Sequence, residues 1–247
     1  MQDLTSLNIN QYELVIFDWD GTLLNSSESY FVWDRLYVKR FYAIDLSLGY
    51  LHDLAAKLKT VQPDHTQDNP YFRYLDVVYG DGKTSIETIW SNLYSLSDEV
   101  RAEVDYKDGA PAVLAALRRY AHLKLALATN AERKDLEFYS SKDALTFSQI
   151  NPLQFFDKVV TLDEVTRPKP HPETFQKVIE YFAVSPDKVL VFEDSLSGII
   201  AAKEAGCTVV ALEDNMSQKD RKVIDDKANF SVKSWYDILT VIGDESV

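Results

Sequence analysis

The chain has 247 residues, 46% of them hydrophobic, and a formal net charge of −13. That is room for one large domain or two smaller ones with a sizeable core. So acidic a balance argues against nucleic-acid binding, which needs basic surface to replace counterions, and suits an acidic protein kept in solution by self-repulsion.

Eight glycines and eight prolines leave no place for a long low-complexity region. The single cysteine, Cys207, excludes an internal disulfide and any cysteine-built zinc cluster, and its apolar setting marks it as a small core residue. No basic-then-apolar leader opens the chain, and no apolar run approaches the ~18 residues of a membrane span. A cytoplasmic protein with no membrane partner is expected. Oligomeric state is not legible.

In chain order, residues 1 to about 11 are polar and read as a loose leader. Residues 13–17 form a short, continuous, apolar run rich in branched side chains, the pattern of a buried strand. It ends in Asp18-Trp19-Asp20-Gly21-Thr22, two carboxylates one residue apart, followed by a glycine that lets the backbone turn. Crowded carboxylates call for a cation or a shared proton.

Residues 25 to about 105 are rich in aromatics and contain no convincing strand. Helices are expected over 29–39, 48–58, 70–78 and 85–96, punctuated by turn-rich joints at 62–70 and 79–82. This reads as a helical insertion after the first strand. The aromatics Tyr30, Phe31, Trp33, Tyr37, Phe41 and Tyr42 are expected to form its core, with a few of them free to line a substrate cavity.

Beyond residue 108, strands at 123–128, 158–161, 189–192, 207–212 and 230–232 alternate with helices at 110–120, 131–145, 172–182, 196–205, about 217–226 and 234–242. Such alternation implies a parallel sheet covered on both faces. Ligands of such sheets bind at the carboxyl ends of the strands. The second strand ends in Thr129-Asn130, a hydroxyl beside amides that could hold an anionic oxygen, or else a plain helix cap. After the third comes Lys169, held on a stiff segment between Pro168 and Pro170. The fourth ends in Glu193-Asp194-Ser195, where Asp194 or Ser195 could equally be a cap. The following helix carries Gly198, Ala201, Ala202 and Ala205 on one small-residue face that allows close packing on the sheet. Hard oxygen donors favour magnesium over zinc. A lysine, a metal and open amides together suit a phosphoryl group.

Asp18-Trp19-Asp20-Gly21-Thr22-Leu23, Thr129-Asn130, Lys169-Pro170-His171-Pro172 and Glu193-Asp194-Ser195-Leu196-Ser197-Gly198, in that order, resemble the four motifs of the haloacid dehalogenase superfamily. The resemblance spans about residues 12 to 240 and is nearest to the branch of phosphoglycolate phosphatase and beta-phosphoglucomutase, with a helical cap. It implies an α/β fold, a Rossmann-like doubly wound parallel sheet formed by 12–24 and 106–247, with a cap inserted over 25–105 that sets specificity. It further implies a magnesium-dependent phosphatase acting on a small phosphorylated metabolite through an aspartyl-phosphate. Asp18 would be the nucleophile and Asp20 the general acid and base. Asp18, the Asp20 carbonyl and Asp194 would hold Mg2+, with Glu193 supporting them directly or through water. Thr129 and the Asn130 amide would bind phosphoryl oxygens, and Lys169 would balance charge. The intact aspartate pair favours phosphate esters, since dehalogenases of the superfamily lack the second aspartate.

Asn25 and Asp108-Gly109 depart from the family pattern, which often has aspartate at the first position and proline-glycine at the second. A sugar phosphomutase is the alternative, although the basic cap loop of mutases is not evident. Arg35, Arg73 and Lys83 are candidate cap contacts, although an ordinary solvated charge is the favoured reading of each. A non-catalytic phosphate-binding module is a third reading, disfavoured by the complete set of catalytic positions.

Overall fold

The structure, a computed structural model, describes residues 2–26, 29–51, 70–141, 150–214 and 220–242. The chain divides into two compact units, Met1–Ser27 with Asp105–Val247, and Glu28–Val104.

The first unit is built on a six-stranded sheet in the order β3-β2-β1-β4-β5-β6. The strands are β1 (Leu14–Phe17), β2 (Lys124–Ala128), β3 (Lys158–Val160), β4 (Val189–Glu193), β5 (Thr208–Leu212) and β6 (Phe230–Val232). Every pairing is parallel. The six expected strands are all present. β1 lies at the centre because all four of its residues are apolar and can be buried on both faces. Its neighbours set the register, with Phe17 beside Leu127 on one side and Phe192 on the other. The strand ends that carry the motifs are thereby brought level.

Alternation along β1 divides the core. Leu14 and Ile16 join Val189, Val191, Val209, Phe175, Val178 and Ile199. On the opposite face Phe17 stacks on Phe192 at 5.3 Å, and both rings meet Trp235, at 5.9 and 5.0 Å. Helices Glu173–Phe182 and Leu196–Glu204 thus cover one face, and Trp235–Val241 the other. The core is doubly wound, as expected. Cys207 is buried in it.

Several boundaries differ from expectation. The leader is not loose: Asp3 and Asn8 cap short 3-10 turns at Leu4–Ser6 and Ile9–Gln11, Leu7 and Ile9 are buried, and the Gln2 amide donates to the Asn229 carbonyl at 2.9 Å. The helix expected over 131–145 spans Arg133–Ser140, capped by a reciprocal box between Glu132 and Asp135. Residues 142–149 lie outside the described residues. A short helix, Pro152–Phe155, was not expected, although Asn151 before Pro152 is its signal; the Asn151 side chain accepts from the Leu153 and Gln154 amides. Helix Arg221–Lys227 starts later than expected, and residues 215–219 are not described. Before helix Ala110–Leu117, Gly109 has φ +84°, a conformation that favours glycine, and a Cβ there would meet the Trp235 Cβ at 3.2 Å.

The second unit is helical over Ser29–Tyr42, Pro70–Tyr79, Ile86–Tyr94 and Ser97–Ala102. The helix expected at 48–58 is present at 48–51, and 52–69 lie outside the described residues. Tyr37, Val38, Ile89, Leu93 and Leu96 form its core, with Trp33 and Tyr42 packed against it. The Trp33 indole donates to the Leu93 carbonyl at 2.8 Å. Those aromatics are therefore core, whereas Phe41 is exposed. The side chains of Tyr30 and Arg73 are not among those described.

Candidate active site

Asp18 follows β1 directly, and its amide continues the ladder by donating to the Phe192 carbonyl at 3.0 Å. Glu193 was expected just beyond β4 but is its last residue, paired with Ala211 in β5. That extra residue turns its side chain inward and buries it completely.

Lys169 joins the two acids. Its ammonium donates to Asp18 Oδ1 at 2.6 Å, to Glu193 Oε1 at 2.8 Å and to the Ala128 carbonyl at 2.9 Å. All three N–H donors of a lysine are thereby used. The ammonium also lies 4.8 Å from the centre of the Phe175 ring, within cation–π range. The other Glu193 oxygen, Oε2, accepts from the Ser195 amide at 2.9 Å and the Ser195 hydroxyl at 3.0 Å. Glu193 is thus engaged at both oxygens.

Asp194 is buried beside them, and Asp18, Glu193 and Asp194 each bring a carboxylate oxygen within 4.8 Å of the others. The Thr22 hydroxyl donates to Asp194 Oδ1 at 2.7 Å, and the Thr22 carbonyl accepts from the Trp235 indole at 3.0 Å. Among the described residues, the second carboxylate oxygen of Asp18 and of Asp194 has no protein hydrogen bond.

Three carboxylates against one ammonium leave excess negative charge in a buried space. Burial, then Lys169 in opposition and Glu193 in support, pushes Asp18 from 3.8 up to about 7. Burial, Glu193 and Asp18 likewise raise Asp194 well above the usual carboxylate range. Burial alone would lower Lys169, but Asp18 and Glu193 override it and hold the ammonium above its ordinary value. All-oxygen donors crowded to this degree fit a hard divalent cation such as Mg2+.

Asp20 stands apart from this cluster. Its side chain is exposed, and it is only a minor contributor to the rise at Asp18. The crowding inferred for Asp18 and Asp20 instead lies between Asp18 and the pair at 193 and 194. Directly after Asp20, Gly21 turns the backbone at φ +77°, a conformation that favours glycine. The Ser26 hydroxyl accepts from the Gly21 amide at 3.1 Å and fixes that turn.

Thr129 is buried, and its Oγ1 accepts from the Ala131 amide at 2.9 Å. It is not the helix cap, which is Glu132. The helix starts further on, so the open amide at this strand end is that of Asn130, which has no partner among the described residues. The Asn130 side chain accepts from the Lys169 amide at 3.2 Å and donates to its carbonyl at 3.4 Å. The second and third strand ends are thereby clamped together. Ser195, a candidate cap in the sequence, is that cap and also holds Glu193, whereas Thr22, Phe175 and Trp235 carry parts of this framework that sequence reasoning did not assign. Only the long-range pairing of Thr22 with Asp194 could have drawn attention to them, and no local pattern encodes it.

The family model of the haloacid dehalogenase-like hydrolases matches residues 12–206. The chain belongs to that family. A phosphorylated carbohydrates phosphatase of Thermotoga maritima is 32% identical over 199 residues, 78% of this chain and 82% of its own. Validoxylamine A 7'-phosphate phosphatase of Streptomyces hygroscopicus subsp. limoneus is 30% identical over 205 residues, 81% and 85% of the two chains. A solved structure from Thermotoga maritima, provisionally described as a beta-phosphoglucomutase, superposes with a TM-score of 0.73 at 27% identity, covering 93% of this chain and 98% of that one. This haloacid dehalogenase-like hydrolase has no helix, among its described residues, long and apolar enough to cross a membrane.

Proposed function

We propose that the protein is a magnesium-dependent phosphatase that hydrolyses a small phosphate monoester, a phosphorylated carbohydrate ahead of phosphoglycolate. The observation that carries this reading is the Lys169 ammonium shared by Asp18 and Glu193 beside Asp194. Relatives named as phosphatases of a phosphorylated carbohydrate and of validoxylamine A 7'-phosphate support the substrate class.

In this reading residues 12–24 and 106–247 are the catalytic core, and 25–105 the cap that selects substrate. Asp18 attacks phosphorus with the oxygen not bound by Lys169, so an Asp18 O–P bond forms as the ester P–O bond breaks. Asp20, exposed beyond the end of β1, gives its proton to the leaving oxygen. It then takes a proton from the water that attacks the aspartyl-phosphate, which releases phosphate and restores Asp18. The Thr129 hydroxyl and the Asn130 amide hold non-bridging oxygens. Lys169 keeps Asp18 oriented and lowers the charge the incoming phosphoryl group meets. Asp18, Asp194 and the Asp20 carbonyl would hold Mg2+, with Glu193 supporting the set. The ion, when bound, supplies neutralisation of the charge gathered between these carboxylates and the phosphoryl group.

The test is phosphate release from sugar phosphates, phosphoglycolate, nucleotides, phosphoamino acids and pyrophosphate, with Mg2+ and with EDTA. Magnesium-dependent release is expected, with Asp18→Asn lowering kcat on the order of 10³-fold or more. Silence across the panel would reject the reading.

The provisional phosphoglucomutase description of a structural neighbour favours a second reading, a sugar phosphomutase. A mutase must hold a second phosphate. In the inserted unit, among the described residues, Arg35, Lys39, Arg40 and Arg101 are paired with carboxylates, and Lys83, exposed and in no ion pair, is the cation left to meet such a phosphate. Conversion of a sugar 1-phosphate to its 6-phosphate faster than phosphate release would reverse the order of the two.

A further inference from the structure

We infer that Gly198 is a positioning residue for the active site: its missing side chain is the space in which the Glu193 carboxylate sits to hold Lys169. Gly198 is in the first turn of helix Leu196–Glu204, and its amide donates to the Ser195 hydroxyl, the helix cap, at 3.1 Å. A Cβ built on Gly198 would fall inside contact with Oε1, Cδ and Oε2 of Glu193, the farthest of these at 2.5 Å, where real side chains keep at least 3.0 Å. No backbone atom is among the three nearest obstacles; all belong to the Glu193 side chain.

That pattern separates positioning from packing. A glycine needed for close approach of a helix to a sheet would meet backbone or core side chains. Here the helix can keep its place if the carboxylate moves. The carboxylate is fully buried and fixed by the Lys169 ammonium, the Ser195 amide and the Ser195 hydroxyl. Moving it breaks the bond to Lys169, and the same ammonium orients Asp18 at 2.6 Å. An added methyl group would therefore act on Asp18 through two intermediaries, without touching it.

The consequence for turnover rests on the phosphatase reading, so the test carries two readouts. One is hydrolysis of p-nitrophenyl phosphate with Mg2+, the other the thermal midpoint. The variants are Gly198→Ala, Glu193→Asp, whose carboxylate is one methylene shorter, and the double variant. Gly198→Ala should lower kcat/KM at least about tenfold in the wild-type background and less than about twofold when added to Glu193→Asp, since coupled residues are non-additive. Its effect on the midpoint should likewise vanish in the Glu193→Asp background. Equal losses in both backgrounds, by either readout, would overturn the inference and make Gly198 a packing residue. If wild type leaves p-nitrophenyl phosphate intact, the phosphatase reading fails and the midpoints alone decide on Gly198. If Gly198→Ala does not fold, a folded double variant supports the inference and an unfolded one overturns it.

Discussion

Thr22 and Asp194, 172 positions apart in the chain, are joined by a buried 2.7 Å hydrogen bond from hydroxyl to carboxylate. The bond takes one oxygen of Asp194 and leaves the other for a ligand. Thr22 is itself anchored by the Trp235 indole on its carbonyl, so the orientation of Asp194 is set by the aromatic core.

Thr22→Val keeps the shape of this anchor and removes its donor. Outer-shell partners of metal ligands are typically worth 10- to 100-fold in metal affinity. The expected result is a rise of roughly tenfold or more in the Mg2+ concentration for half-maximal activity, with kcat at saturating Mg2+ changed by less than about threefold. An unchanged Mg2+ requirement would mean that Thr22 does not act on the ion site.

Lys169→Met tests the ion triad by stability. It leaves Asp18 and Glu193 buried without their shared cation, and breaking a buried pair from one side costs about 3–5 kcal/mol. Adding Glu193→Gln removes one of the stranded charges and should recover part of that loss. Urea denaturation of the single and double variants reads the difference. A single variant as stable as wild type would show that burial of the carboxylates, and not their pairing, dominates here.

Much of this was legible from local signals. Unbroken, branched apolar runs such as Leu14–Phe17 and Val189–Phe192, alternating with helical stretches, are the pattern of a parallel sheet buried on both faces, and Asp18 and Glu193 follow those two runs directly. Distances were not legible. Asp18 and Asp20 are neighbours in sequence, yet the cluster combines Asp18 with Glu193 and Asp194 and leaves Asp20 exposed. Strand pairing, which aligns Phe17 with Phe192, decides that outcome. The leader failed as a reading for a related reason: Leu4, Leu7 and Ile9, scattered among polar residues, give no sustained period, yet Leu7 and Ile9 are buried.

Acidity provides a separate test of Asp18 in the EDTA-treated protein. The unfolded chain releases this proton near 3.8 and the folded one near 7. Between those values the folded state binds more protons, so stability falls as pH rises. The contribution is fully present below the lower value and lost through the upper one. Relative to Asp18→Asn, wild type should therefore lose thermal stability between about pH 4 and about pH 7 and change little above that. A difference independent of pH would show that Asp18 is already ionised at the acidic end.

Asn25 marks where the chain leaves the sheet-bearing unit, and it is stitched to the segment that returns. Its amide donates to the Asp105 carbonyl at 3.0 Å, and its side-chain oxygen accepts from the Asp105 amide at 2.9 Å. Leu24 bridges Tyr106 in antiparallel fashion, and the Lys107 amide donates to the Leu23 carbonyl at 2.8 Å. The side-chain bond replaces a ladder bond that the short ribbon would otherwise lack. Asn25→Ala should cost about 1 kcal/mol, the net worth of one such bond, or a fall of about 2–4 °C in thermal midpoint. Asn25→Asp keeps an acceptor at the same place and strengthens it by charge. It also sets that charge near the Asp105 carboxylate, which accepts from the Tyr106 amide at 2.6 Å. The two effects oppose, and the repulsion between exposed carboxylates is the one that salt screens. Asn25→Asp should thus be less stable than wild type at low ionic strength and match it as salt is raised, whereas the deficit of Asn25→Ala should not change. Parallel salt responses of the two variants would show that the introduced carboxylate meets no repulsion from Asp105, and an Asn25→Ala variant as stable as wild type that the bond contributes nothing beyond the backbone ribbon.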